Sequence, residues 1–254
     1  MPDQNPFAAH GITHLSPSSM NRWASQPALF VLEKILKRSS PVGPGAHRGT
    51  AAEAGIAHGL VHPSASLDEC IAIAQSKFSE LTALSTDPRT EKESANLAGY
   101  VTVGLQTLRP YGDPTSMQGE IRMAFDGIAV PVLGFYDFMW QSPTGTILID
   151  LKTSGMLSSQ ISTAHARQVA FYASAIPNCD ARVAYVTPKK SAVYGLENVE
   201  AHRKALHNIA ASIQAFLSIS EDPQVLTKLV VPDVDSFYFN DPLTRQAAFE
   251  VWGI

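Results

Sequence analysis

Apolar residues recur along this chain at two spacings, and the change from one to the other divides it. Up to about residue 110 the spacing is helical. SPSSMNRW (16–23) reads as a helix start, with Ser16 or Ser18 able to cap exposed backbone N–H groups and Pro17 suited to the first turn. Over 27–36, Leu29, Phe30, Leu32, Ile35 and Leu36 fall at helical spacing, and the stretch SSPVGPG (39–45) ends that run. Residues 49–60, 66–84 and 91–108 each predict a helix, whereas the opening dozen residues show no periodicity and are expected to be loose.

The texture changes near Gly119. EIRMAF, GIAVPVLGFYDFMW and GTILIDLKT are short, rich in β-branched and aromatic residues, and separated by the turn signals DG and SPTG; they predict three strands of an antiparallel meander. A helix over 158–175 follows, carrying Ile161, His165, Val169, Tyr172 and Ile176, then the strands ARVAYVTP and SAVYGLE, then a helix over 199–219. Helices, three strands, helix, strand: this order implies an α/β fold with a mixed central sheet flanked by helices and an N-terminal helical segment. The expected organisation is a flexible 1–14, then one domain over 15–254. Its parts are helical (15–110), α/β core (111–220) and C-terminal extension (221–254).

Composition narrows the class. With 254 residues, 45% of them hydrophobic and 17% charged, the chain can bury a sizeable core. No run reaches the roughly 20 apolar residues of a membrane span, and the N-terminus lacks the pattern of a secretion signal. Cys70 and Cys179 are far apart, which excludes a disulfide framework and a cysteine-based metal cluster and makes a reducing cytoplasm the expected compartment. The net charge of −4 argues against a broad phosphate-gripping surface, so nucleic acid would have to be held in a local groove.

One group of residues carries chemistry. Asp137 and Asp150 sit late in neighbouring predicted strands, and Lys152 follows Asp150 by two, hence on the same face. Paired strands would bring Asp137 to the same spot. Two carboxylates and a few waters suit Mg²⁺, which can polarise a phosphoryl oxygen and activate water, while a lysine orients or deprotonates that water or stabilises developing charge. The plain alternative is an exposed strand edge with a surface ion pair. The apolar Ile147, Leu148 and Ile149 place these charges instead at the rim of a core.

GFYDF, then IDLKT with its aspartate thirteen residues on, then QVAFY on a helix, resembles the RecB-like, phage-exonuclease branch of the PD-(D/E)XK nucleases. LSPSSMNRW is similar to that family's first helix, RGTAAEAG to its second-helix motif, and GEIRMAF to the strand before the aspartate strand; together these span about residues 15–188. The resemblance implies a restriction-endonuclease-like core and a Mg²⁺- or Mn²⁺-dependent DNA exonuclease. An endonuclease of the same fold and a catalytically inactive DNA-binding module are the alternatives. By position, Glu53, Asp137, Asp150 and the Leu151 carbonyl would hold metal, Lys152 would be the catalytic lysine, and Gln168 and Tyr172 would line the site and touch DNA. Arg48, Thr50, Thr153, Ser16 and Ser18 would be phosphate contacts, with capping or surface roles as the alternative. Glu120 would be a second-metal ligand or an outward strand carboxylate.

Glu53 stands where many relatives have histidine, which favours two magnesium ions over softer metals. Gln26-Pro27 replaces the Cys-Pro of cluster-bearing relatives, so no iron–sulfur cluster is expected. No GxxxxGK[ST] helicase signature occurs, implying a standalone nuclease acting on DNA in a bacterial cell or phage-infected host, with a single-strand-annealing or recombination protein as the expected kind of partner and an open oligomeric state. His58 and His62, four apart, lack a third ligand for zinc. Lys189-Lys190 fits a solvated turn or a phosphate contact. The aromatics Phe237, Tyr238, Phe239 and Trp252 fit packing better than base stacking.

Overall fold

In the computed structural model, residues 5–38 and 41–254 are described. Part of the predicted 39–45 breaker lies outside them. The chain gathers into two compact units, neither continuous in sequence. Of the described residues, one comprises 5–38, 41, 120–134 and 198–254, the other 42–119 and 135–197.

The second unit holds the chemistry-bearing residues. Its helices are α3 (Pro44–Val61), α4 (Leu67–Thr82) and α5 (Arg89–Leu108), after α1 (Pro17–Ser25) and α2 (Pro27–Phe30) in the other unit. The sheet runs in the order β1 (Ser116–Met123), β2 (Val132–Ser142), β3 (Gly145–Thr153), β4 (Cys179–Val186), β5 (Ser191–Gly195). The pairing is antiparallel for β2–β3 and β4–β5 but parallel for β3–β4, so the sheet is mixed, as expected. A parallel pair needs a crossover, and α6 (Thr163–Ala175) supplies it.

Strand alternation decides which residues meet the helices. Phe138, Trp140, Ile149, Leu151, Ala184 and Val186 point to one face and form a core with Ala52, Ile56, Phe78, Leu97 and Val101 from α3, α4 and α5. Leu148, Asp150 and Lys152 alternate with them and belong to the opposite face. There α6 packs on β4 and buries Val169, Phe171 and Tyr172.

The other unit joins both ends of the chain. Trp23 of α1 packs on Phe30 and Phe216 and donates its indole N–H to Ser212 Oγ at 3.0 Å, tying α1 to α7 (Val199–Leu217). After α8 (Pro223–Thr227) the chain ends in α9 (Pro242–Trp252). Leu29 and Leu32 form a small core with Phe239 and Ala248, so the C-terminal aromatics divide. Phe239 and Trp252 pack, and Phe237 is exposed.

Two expectations are corrected here. The segment expected to be loose is anchored from Asn5 onward. Phe7, His10 and Ile12 are buried around a 3-10 turn (Ala8–His10), and three separated apolar or aromatic residues sufficed where no period could be seen. The predicted helix over 27–36 is α-helical only in α2 and widens to a π-helix over Val31–Ile35. Ala28 through Leu32 are all buried, so this stretch is enclosed on every side and lacks an amphipathic face.

Close packing of α3 on α4 requires Gly55. A Cβ there would lie 2.5 Å from the Cys70 carbonyl oxygen and 3.0 Å from Ala74 Cβ. Gly55→Ala should therefore lower Tm by several degrees, although alanine favours helix by about 1 kcal/mol over glycine. A thermal melt checks this, and an unchanged or raised Tm contradicts it.

Candidate active site

The β2–β3 ladder ends at Phe138↔Ile149, and the next residue on each strand is an aspartate. There the backbone partner is replaced by a side chain, as Asp137 Oδ2 accepts the Leu151 N–H at 2.6 Å. Asp150, fully buried at the carboxyl end of β3, faces Lys152, whose Nζ is 2.6 Å from Asp150 Oδ2. Asp150 Oδ1 has no hydrogen-bond partner among the described residues. The sequence expectation that these three side chains converge is met in the structure.

Glu53 arrives from α3 and is half-buried, accepting a hydrogen bond from Gln118 Nε2 at 2.9 Å. Gln118 has φ of 50° within β1, an uncommon backbone for a non-glycine residue that projects its amide to Glu53. The adjacent Gly119 leaves room for the Tyr136 ring, whose hydroxyl would lie 2.1 Å from a Cβ. From α6, Gln168 Nε2 donates to Tyr172 Oη at 2.9 Å, and Tyr172 donates to the Phe135 carbonyl at 2.6 Å, two residues before Asp137. The Q-x-x-x-Y pair thus forms one chain of hydrogen bonds pinned to β2.

These charges strain one another. Burial, then Asp150, then Glu53 push the Asp137 carboxyl well above the ordinary carboxylate range. Burial also raises Glu53, opposed by its Gln118 hydrogen bond. Burial works against the Lys152 ammonium, but Asp150 and Asp137 outweigh it and raise its pKa, so Lys152 stays charged. Burial raises the Tyr172 phenol, and burial with the Lys152 charge lowers His165. As the side chains stand, no group of three histidine, cysteine or acidic side chains is set to hold a metal among the described residues. The carboxylates are turned to partners: Asp137 to Leu151, Asp150 to Lys152, Glu53 to Gln118.

The remaining candidates divide. Arg48 is buried and occupied within the chain. Its guanidinium meets Glu93 Oε2 at 2.6 Å and the Thr153 carbonyl at 3.0 Å, and lies 4.8 Å from the Tyr100 ring centroid. It ties α3 and α5 to the end of β3, with Thr153 Oγ1 3.4 Å from Arg48 Nε. Thr50 is exposed. Ser16 caps α1 in a reciprocal box with Ser19, and its Oγ is 2.9 Å from Ser18 Oγ; both serines belong to the other unit. Glu120 is exposed on β1, which favours the outward-carboxylate reading. His58 pairs with Glu69 at 3.0 Å, a contact from α3 to α4, and its ring lies 4.6 Å from that of His62, tilted by 50°. Lys189 and Lys190 are exposed in the β4–β5 turn.

Gln118 and His165 were not among the candidates read from the sequence. His165 precedes Gln168 by one turn on the same helix face, a spacing that could have marked it. Gln118 carries no such signal.

No protein-family model matches this chain, and no curated protein matches it. Among solved structures it is similar to one described as "Crystal structure of SSO0001", at TM-score 0.36 and 16% identity over 72% of this chain and 82% of that one, too distant to carry an argument.

The electrostatics give a stability prediction without metal. A carboxyl whose folded-state pKa is raised contributes stability that is complete below its unfolded value and lost as pH rises through the folded one. At neutral pH, above its unfolded value, the raised Asp137 carboxyl therefore costs stability. Asp137→Asn keeps an acceptor for the Leu151 N–H and removes the charge. It should raise Tm by a few degrees at pH 7 in EDTA, with the gain shrinking toward pH 4. Melts of both proteins across that range are the check, and a lower Tm at pH 7 refutes it.

Proposed function

We propose that this chain is a divalent-metal-dependent deoxyribonuclease of the PD-(D/E)XK kind, acting as an exonuclease on DNA. The observation that carries the reading is Asp150, a carboxylate with no exposed surface whose Oδ1 has no partner, set beside Asp137 and Lys152. A buried anion with an unused lone pair is costly unless a cation meets it.

Glu53, Asp137 and Asp150 fit hard, oxygen-preferring Mg²⁺ or Mn²⁺, with the Leu151 carbonyl as a further oxygen donor. When bound, such an ion polarises the phosphoryl oxygen and lowers the pKa of the attacking water. Lys152, held as an ammonium by its carboxylates, donates hydrogen bonds and stabilises charge developing on the phosphate, which favours that role over general base. The Gln168–Tyr172–Phe135 chain fixes one wall of the site. Arg48 acts through the backbone, holding Thr153 next to Lys152.

A local, metal-assisted grip on DNA agrees with a net charge of −4. Action on cellular or phage DNA beside a recombination protein follows from the sequence resemblance. Among the described residues no helix is long and apolar enough to cross a membrane, and Cys70 and Cys179 are free thiols.

The test is digestion of end-labelled linear and covalently closed circular DNA, single- and double-stranded, with Mg²⁺ or Mn²⁺. Wild type should degrade linear but not circular DNA, and Lys152→Ala should lose at least about 100-fold. Cleaved circles would reassign the protein to an endonuclease. No cleavage of any substrate would leave a DNA-binding module.

A further inference from the structure

His165 lies on α6 in one stripe with Gln168 and Tyr172. Its Nδ1 is 2.8 Å from the hydroxyl of Tyr185. Tyr185 belongs to β4, and the β3–β4 register sets it opposite Lys152. This hydroxyl is part of a side chain only 2% exposed, and it accepts the Ser162 N–H at 3.1 Å.

A buried O–H requires an acceptor. Among the described residues this hydroxyl meets only the Ser162 N–H, which is a donor, and His165 Nδ1. The phenol therefore donates to Nδ1, and the neutral ring carries its proton on Nε2. His165 is half-buried, and Nε2 has no hydrogen-bond partner among the described residues. The ring is close enough to Lys152 and Asp150 for both charges to act on it, and burial with the Lys152 charge holds it neutral. The ring thus carries a single N–H of fixed direction with no acceptor among the described residues.

We propose that His165 is a further substrate-binding residue, its Nε2–H donating a hydrogen bond to a non-bridging phosphate oxygen of DNA at the site, with Tyr185 as the residue that positions it. This rests on the nuclease reading above. A neutral donor suits the location: Lys152 supplies the positive charge, and a second cation would compete with a metal. The competing explanation is structural, in which the His165–Tyr185 bond only fastens α6 to β4.

Two isosteric variants separate these roles. Asn places its amide near Nδ1 and can keep the Tyr185 bond, but has no donor at the Nε2 position. Gln reaches the Nε2 position with an N–H and gives up the acceptor at Nδ1. Cleavage of a labelled oligonucleotide with Mg²⁺, and its binding with non-catalytic Ca²⁺ by fluorescence anisotropy, should be measured for wild type, His165→Asn, His165→Gln and Tyr185→Phe. Melting curves serve as the folding control.

We expect His165→Asn to lose about 100-fold in kcat/KM with a Tm near wild type and weakened binding in Ca²⁺. His165→Gln should stay within about tenfold of wild type, and Tyr185→Phe should fall between them. If wild type cleaves and Asn matches it, or Gln is the worse variant, His165 is structural; the inference falls and the nuclease reading stands. If wild type cleaves nothing, the nuclease reading falls and takes the inference with it.

Discussion

Burying the Asp150 carboxylate at the end of β3 costs several kcal/mol unless a counter-charge meets it, and much of the surrounding arrangement answers that cost. Lys152, two residues on, brings an ammonium to the same face. Asp137 brings a second carboxylate where the β2–β3 ladder stops, and spends one oxygen on the Leu151 N–H that the ladder no longer satisfies. Burial first, and then the neighbouring carboxylates, push Asp137 well above the ordinary carboxylate range and raise Glu53. Under the proposed function, a bound cation would relieve this cost.

The topology explains why the charges sit there. β3 and β4 are parallel, so the chain must cross over, and α6 returns along the sheet face opposite the α3–α5 core. Residues at the carboxyl end of β3 then meet one face of α6, a common place for sites in α/β sheets. Gln168 and Tyr172 come from that face, and their hydrogen bonds run on to the Phe135 carbonyl of β2. One helix face thus braces the two strands that carry the aspartates.

Most of this was legible because its periods are short. Alternation in GFYDF and ILIDLK fixes which side chains share a face, and the i, i+4 spacing of Gln168 and Tyr172 does the same for α6. Arg48 is different. A sequence does not say whether an arginine near acids meets solvent phosphate or the carboxylate of another helix, and here it meets Glu93, 45 residues away. Gln118 depends on a left-handed backbone inside a strand, and the burial of Phe7, His10 and Ile12 depends on tertiary contacts without local period. The Tyr185 bond to His165 joins residues on a strand and a helix 20 positions apart, and follows from the parallel register.

The central claim is that the carboxylates around Asp150 form a divalent-cation site. Its most direct measurement is Mn²⁺ binding by electron paramagnetic resonance, comparing wild type with Asp150→Asn and with His58→Ala, a residue paired with Glu69 rather than with these carboxylates, as the control. Saturable binding in wild type and in the control, weakened at least about tenfold in Asp150→Asn, is the predicted result. Equal binding by all three, or none by wild type with DNA present, would contradict the account.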